Sequence, residues 1–322
     1  MTTSRIRRPA GRSRAGTTLV ELLIALAVLG LVSSALTTAI VRQQRVNART
    51  VTAIDTRNQG RITLSTLAAE LRGVSASGND ISAVAGEMSA TTLRVRIQLG
   101  NSVICWIDPA DRRHFRLPPS GALTNGTLTG FIDVDELPRA GDPLFVYDPS
   151  QPTATPWFQT SLDQSVLTGE GSCPSGAGTF VTAAEAPGSY DVRSAAALPA
   201  GVLVGSPVRI AREVRYTFGQ EDAPPAGDGL WYLYYQACTA AGCTTRAPVS
   251  GPFRPGTTDK TTTGFRFRYY DSAGLETAVP TAVARIDVVS RVTSRENVSL
   301  GNTKRAPIVQ ADSVSIALRN RY

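Results

Sequence analysis

Few side chains in this chain have the types and spacing to do chemistry, and the cysteines come first. Cys238 and Cys243 enclose Thr239-Ala240-Ala241-Gly242, while Cys105 and Cys173 stand far upstream. A pair that close, with glycine for the turn, can close a loop disulfide or offer two thiolates to a metal. A metal would need further sulfur or nitrogen ligands, yet there is no second close cysteine pair and His114 is the only histidine. A Cys238–Cys243 bridge is the expectation, which leaves Cys105 for Cys173, although four cysteines allow other connectivities.

The remaining candidates read as structural. His114 sits in the charged run Asp111-Arg112-Arg113-His114-Phe115-Arg116, and without a nucleophile or second histidine beside it a solvated imidazole is expected. Asp133, Asp135 and Glu136, near Gly141-Asp142, match no calcium-loop spacing and read as surface acids. Gly169-Glu170-Gly171 and Gly176-Ala177-Gly178 lack the lysine and hydroxyl of a phosphate loop. Arg209, Arg212, Arg215, Arg266 and Arg268 accompany Tyr216, Phe265, Phe267 and Tyr269, the composition of a DNA-contacting face. Strands with arginine on the wet face and aromatics inside give the same alternation, and that reading is preferred; DNA stays open as a partner. No catalytic group, metal or cofactor is expected, so the chain is not read as an enzyme.

Glu21 is the one acid in an unusual place. A leader with Arg5, Arg7, Arg8, Arg12 and Arg14 ends at Gly16, and no charged residue lies between Leu22 and Val41. That stretch, at about 1.5 Å per residue, reaches about 30 Å, the thickness of a bilayer's hydrocarbon. A carboxylate at its mouth is costly and calls for a partner. Subtracting the five leader arginines from the formal net charge of +7 leaves +2, so the basicity resides in the leader and gives no ground for a nucleic-acid face. The same arginines hold the N-terminus in the cytoplasm and send the chain beyond residue 42 across the membrane. There disulfides persist. A cleaved secretory signal, with small residues near Ser33-Ser34-Ala35, is the bland reading. Against it stand the acid inside the apolar core and the lack of a helix breaker after it.

The elements that position these groups follow from periodicity. Beyond Val41, Val46, Val51, Ile54, Ile62, Leu67 and Leu71 alternate with Arg42, Arg45, Arg49, Arg57 and Arg61, an amphipathic continuation of the helix to Arg72. Gly60 is its weak point, and Gly73 with Ser75-Ala76-Ser77-Gly78 its stop. Strands follow from residue 80. Thr92–Leu99 alternates, with a turn expected at Asn101-Ser102; Val208–Phe218, Leu230–Ala237, Gly264–Tyr270, Ala282–Thr293 and Ser313–Leu318 form a meander. Residues 108–200 read as a large irregular insertion with a short strand at Leu144–Tyr147. The expected fold is α+β: a long N-terminal helical spine packed on a mostly antiparallel β-sheet domain carrying that insertion. The expected segments are a leader 1–16, a transmembrane half-helix 17–41, an amphipathic half 42–72 and an extracytoplasmic domain 80–322.

Gly16, Thr18-Leu19-Val20-Glu21-Leu22 and Gly30, on a helix of these two halves, resemble the N-terminal spine of type IV pilins and type II secretion pseudopilins. The resemblance implies that a prepilin peptidase cuts between Gly16 and Thr17 and methylates the new N-terminus. It also implies that Glu21 helps a subunit dock, its carboxylate pairing with a neighbour's α-amino group. Thr17 stands where the family usually has phenylalanine, and no proline interrupts the run, with Thr38 nearby instead; both departures point to a minor subunit. The layout from Phe265 to Arg321 resembles the PilW-type and J-type minor members. Implied partners are the peptidase, other major and minor pilins, the inner-membrane assembly platform and, before assembly, membrane lipid. The implied place is the inner membrane, then a pilus or pseudopilus. The alternative is a membrane-tethered ligand-binding or enzymatic domain with a simple signal anchor.

Overall fold

The computed structural model describes residues 18–75, 79–119, 121–122, 128–131, 137–151, 156–174, 187–220, 230–239, 241–257, 259, 261–295, 297–299 and 305–318. Gly16, Thr17 and the acids Asp133, Asp135 and Glu136 lie outside the described residues. A continuous helix, α1 (Leu19–Leu71), opens the chain. Two compact units are distinguished, Met1–Thr52 with Val298–Ala306, and Ala53–Asn297 with Pro307–Tyr322.

The second unit holds the sheet. Its strands begin with β1 (Thr92–Val103), β2 (Trp106–Ile107), β3 (His114–Leu117), β4 (Gly121–Ala122) and β5 (Leu128–Phe131). The middle of the chain supplies β6 (Pro143–Tyr147), β7 (Trp157–Ser161), β8 (Leu167–Ser172) and β9 (Pro187–Arg193). Then come β10 (Pro207–Gln220), β11 (Trp231–Thr239), β12 (Gly242–Cys243), β13 (Ala247–Phe253), β14 (Phe265–Tyr270) and β15 (Arg285–Thr293). In the first unit β16 (Val298–Ser299) pairs with β17 (Arg305–Ala306), and β18 (Val309–Ala317) returns to the second.

The main sheet runs β14-β15-β13-β11-β10-β1-β5-β4, with the β6–β7 hairpin on β10; β2-β3-β9-β8 form a smaller sheet. Ile286 of β15 pairs with both Tyr269 of β14 and Ile316 of β18, so those strands flank it on opposite sides. The pairings are antiparallel, and the fold is α+β as expected. It departs from a simple meander because β13 touches β15 only where Phe253 meets Val292. Pro248 and Pro252 had hidden β13 from the sequence pattern, since proline removes a ladder donor. Nor is there a turn at Asn101-Ser102. β1 continues to Val103, with a register shift between Gln98 and Gly100 absorbing the break.

The helix buries Leu67 and Leu71 of the expected apolar stripe, but not the rest of it. Thr56, Gly60, Thr63, Leu64, Leu67, Ala68 and Leu71 are buried, a stripe of helical spacing. Val51, Ile54 and Ile62 stay exposed. The reason is closeness: small residues let the helix settle onto the strands. At Gly60 an added Cβ would lie 3.1 Å from Val292 Cγ2. Leu64, Leu67 and Leu71 then join Leu93, Val95, Tyr216, Phe253, Phe265, Phe267, Ile286 and Val288 in the principal core.

Residues 108–200 contribute to a second core of Leu99, Ile104, Phe115, Leu117, Leu144, Val146, Tyr190, Val192, Val208 and Ile210. β10 serves both cores from one face, Val208 and Ile210 in the second, Val214, Tyr216 and Phe218 in the first. Arg212 lies between them, only 2% exposed. Its Nε and Nη2 donate to Asp142 at 3.2 and 2.8 Å, and the Arg139 N–H also donates to Asp142, at 2.8 Å. A buried charge needs such a bidentate partner.

Gly60→Val would force the helix off β15. A loss of about 1–3 kcal/mol is expected from overpacking, read as a lower denaturant midpoint for the β domain in the full chain.

Candidate functional site

The start of α1 carries the feature with most functional content. The Thr18 N–H donates to Glu21 Oε2 at 3.0 Å, and the Glu21 N–H donates to Thr18 Oγ1 at 3.4 Å. This is a reciprocal capping box, with threonine at the cap and glutamate three residues on. Thr18-Leu19-Val20-Glu21 already spells it, but weighing Glu21 only as an acid in an apolar run passes over it. The carboxylate thus satisfies a backbone donor of its own chain.

From the cap to Val41, α1 is apolar on nearly every side and none of it is buried. Each residue from Leu19 to Ala48 is exposed, with Leu31 at 74%, and the helix is long and apolar enough to cross a membrane. Thr37 and Thr38, two of the four hydroxyl residues within the run, donate their hydroxyls to the Ser33 and Ser34 carbonyls at 2.8 and 2.9 Å. Such back-bonding hides hydroxyls that would be costly in hydrocarbon. The unspent apolar surface continues beyond membrane length, through Val46, Val51, Ile54 and Ile62, the last 64% exposed.

The other candidates lie in the second unit. Cys105 is bonded to Cys173 and Cys238 to Cys243, with no free cysteine among the described residues. The first bridge spans 68 residues of sequence, a loop whose closure is worth on the order of 4 kcal/mol in the chain-entropy account. His114 is held between carboxylates, Nε2 2.6 Å from Asp191 Oδ1 and Nδ1 3.6 Å from Asp108 Oδ2. Trp106 meets its ring edge-on, and Arg116 lies over that indole at 4.5 Å. Its two nitrogens point to different carboxylates, so the cluster ties β3 to β9 and to the β2–β3 turn.

The arginines do not form one face. Arg212 is buried on the core side, as a spacing of three on a strand of period two requires. Arg209 pairs with Asp80 at 2.7 Å, Arg94 with Glu213 at 2.8 Å and Arg215 with Glu87 at 3.0 Å. Much of the positive charge near β1 and β10 is thereby neutralised in place. Tyr269 donates to the Ser89 carbonyl at 2.7 Å, and burial pushes its phenol well above the ordinary range.

Asp108 gives a pH test of the His114 cluster. The Ala110 N–H above all, then the Asp111 N–H and His114, hold its carboxyl below the ordinary value. A carboxyl depressed by folding stabilises above its unfolded value, about 4, and loses that contribution as pH falls through its folded value. Asp108→Asn should therefore lower the melting temperature near neutrality, with the gap from the parent chain closing below about pH 4.

The family model for the prokaryotic N-terminal methylation motif matches residues 11–37. Neither a curated protein nor a solved structure matches the chain. The matched segment holds Gly16, Thr17, the capping pair Thr18 and Glu21, and most of the unburied apolar run. That motif implies processing by a prepilin peptidase and assembly with other pilins. Joined to an apolar helix it marks a membrane-anchored precursor. The chain thus carries the N-terminal signature of type IV pilin and pseudopilin precursors.

Proposed function

We propose that this chain is a minor pilin or pseudopilin, cut after Gly16 and built into, or placed at the tip of, a type IV pilus or related filament. The observation that carries the reading is a methylation motif on a helix whose large apolar side chains, from Leu19 to Val41, are all exposed. Such a surface has two fitting surroundings, lipid before assembly and neighbouring helices after it. The exposed line through Val46, Val51, Ile54 and Ile62 supports the second, because it extends the apolar surface past the bilayer.

In this reading the leader stays cytoplasmic and the β domain lies across the inner membrane. Glu21 exchanges its capping contact for a neighbour's α-amino group during docking. A carboxylate at the edge of hydrocarbon without a charged partner is costly, which gives docking a driving force. Thr17 in place of phenylalanine and a β domain with two cores favour a minor subunit of the PilW or J type, primed at a tip rather than repeated along a shaft. The chain acts by assembly and carries no catalysis. DNA contact is left out of the reading because Arg212 is buried against Asp142, and Arg209 and Arg215 are paired with carboxylates.

The mass of the mature N-terminus tests processing. A start at Thr17 is expected, whereas an intact Met1 or a start near Leu36 would sink the reading. Glu21→Ala should be trimmed normally yet appear in sheared filaments at a small fraction of the parent level; undiminished incorporation would remove the docking role of Glu21.

A further inference from the structure

We propose that the outer edge of β18 is a docking strand for an extended, acidic segment of a partner polypeptide, held by strand addition. β18 pairs with β15 from Val309 opposite Thr293 to Ala317 opposite Arg285. Among the described residues no strand pairs with its other edge. Such an edge offers a row of backbone donors and acceptors to any chain that can lie alongside. Edge strands are normally guarded by lysine, proline, a bulge or short length. β18 has no lysine, proline or bulge, and Asp312 is its only charge: it is nine residues long, Val-Gln-Ala-Asp-Ser-Val-Ser-Ile-Ala, in unbroken register with β15.

The chemistry beside the edge selects the occupant. Between β18 and α1 runs a groove of about 320 Å³, with Leu64, Ala68 and Val314 along it and Arg61, Arg72 and Asp312 at its rim. An added strand sends every second side chain to one face, so apolar side chains of the incoming segment would fall into the groove. Arg61 and Arg72 are exposed, and neither has an ion-pair partner among the described residues. Asp312 already accepts the Ser313 N–H at 2.8 Å. Two guanidiniums against one engaged carboxylate favour acidic side chains on the arriving strand. A second copy pairing edge to edge would instead bring the same arginine pair from each copy toward one seam. The inference concerns the β domain alone and stands whether or not the chain enters a filament.

The test uses the full chain in detergent and labelled synthetic peptides that alternate valine with glutamate, or valine with lysine. Saturable binding of the valine–glutamate peptide is expected, with slowed hydrogen exchange at β18 amides. Binding should be about tenfold weaker to an Arg61→Gln/Arg72→Gln chain, the scale of two exposed ion pairs. A valine–glutamate peptide carrying a central proline should not bind, because it cannot complete the ladder. Equal binding of the lysine peptide, binding without protection of β18, or no saturable binding would overturn the proposal. So would concentration-dependent protection of β18 in the chain alone, which would assign the edge to a second copy.

Discussion

The approach of α1 to β15 at Gly60, where Val292 Cγ2 stands 3.1 Å from the position of a missing Cβ, decides which face of the helix is spent on the chain's own core. Helices draw most of their stability from packing one face against something else. Here the packed face is made of threonine, glycine and alanine as much as leucine, and the backbone comes close to the strands. Val51, Ile54 and Ile62 are left over on the other side. The helix therefore leaves large apolar side chains that its own core does not use.

The β domain answers a different demand. β1 and β10 are long enough to serve two apolar clusters, and the seam between them is the Arg212–Asp142 pair. Removing one partner from such a pair leaves a buried charge and is far more damaging than replacing both. The Cys105–Cys173 bridge closes a loop that holds β2, β3 and β8, three of the four strands of the small sheet. The first core, by contrast, rests on aromatic contacts, with Phe218, Phe253, Phe265 and Phe267 in tilted or edge-on pairs.

Much of this was legible from residues alone where the signal is local. The uncharged run after Glu21, the stop at Gly73, the alternation of β10, β14 and β15 and the closeness of Cys238 to Cys243 all act over a few residues. What escaped depends on distant partners or on small side chains. The packing stripe could not be read by counting valines and isoleucines, because Thr56, Gly60 and Thr63 do the approaching. β13 was masked by its two prolines, and a register shift at Gly100 stood where a turn was expected. That Arg212 points inward follows from strand parity, yet only the fold could supply Asp142, seventy residues away. At the functional end, Thr18 and Glu21 are three residues apart, so their reciprocal bonds were within reach of the sequence.

Thr37 and Thr38 have a consequence for how freely the helix can change its surroundings. Each hydroxyl donates to a carbonyl one turn back, so these two groups ask little of their environment by way of hydrogen bonding. Moving the span between Leu22 and Val41 from lipid chains to protein side chains exchanges one set of dispersion partners for another of similar strength. Within that run and the capped turn before it, the Glu21 carboxylate is the one charged side chain. In the proposed assembly, the electrostatic cost of leaving lipid is thereby concentrated at a single acid.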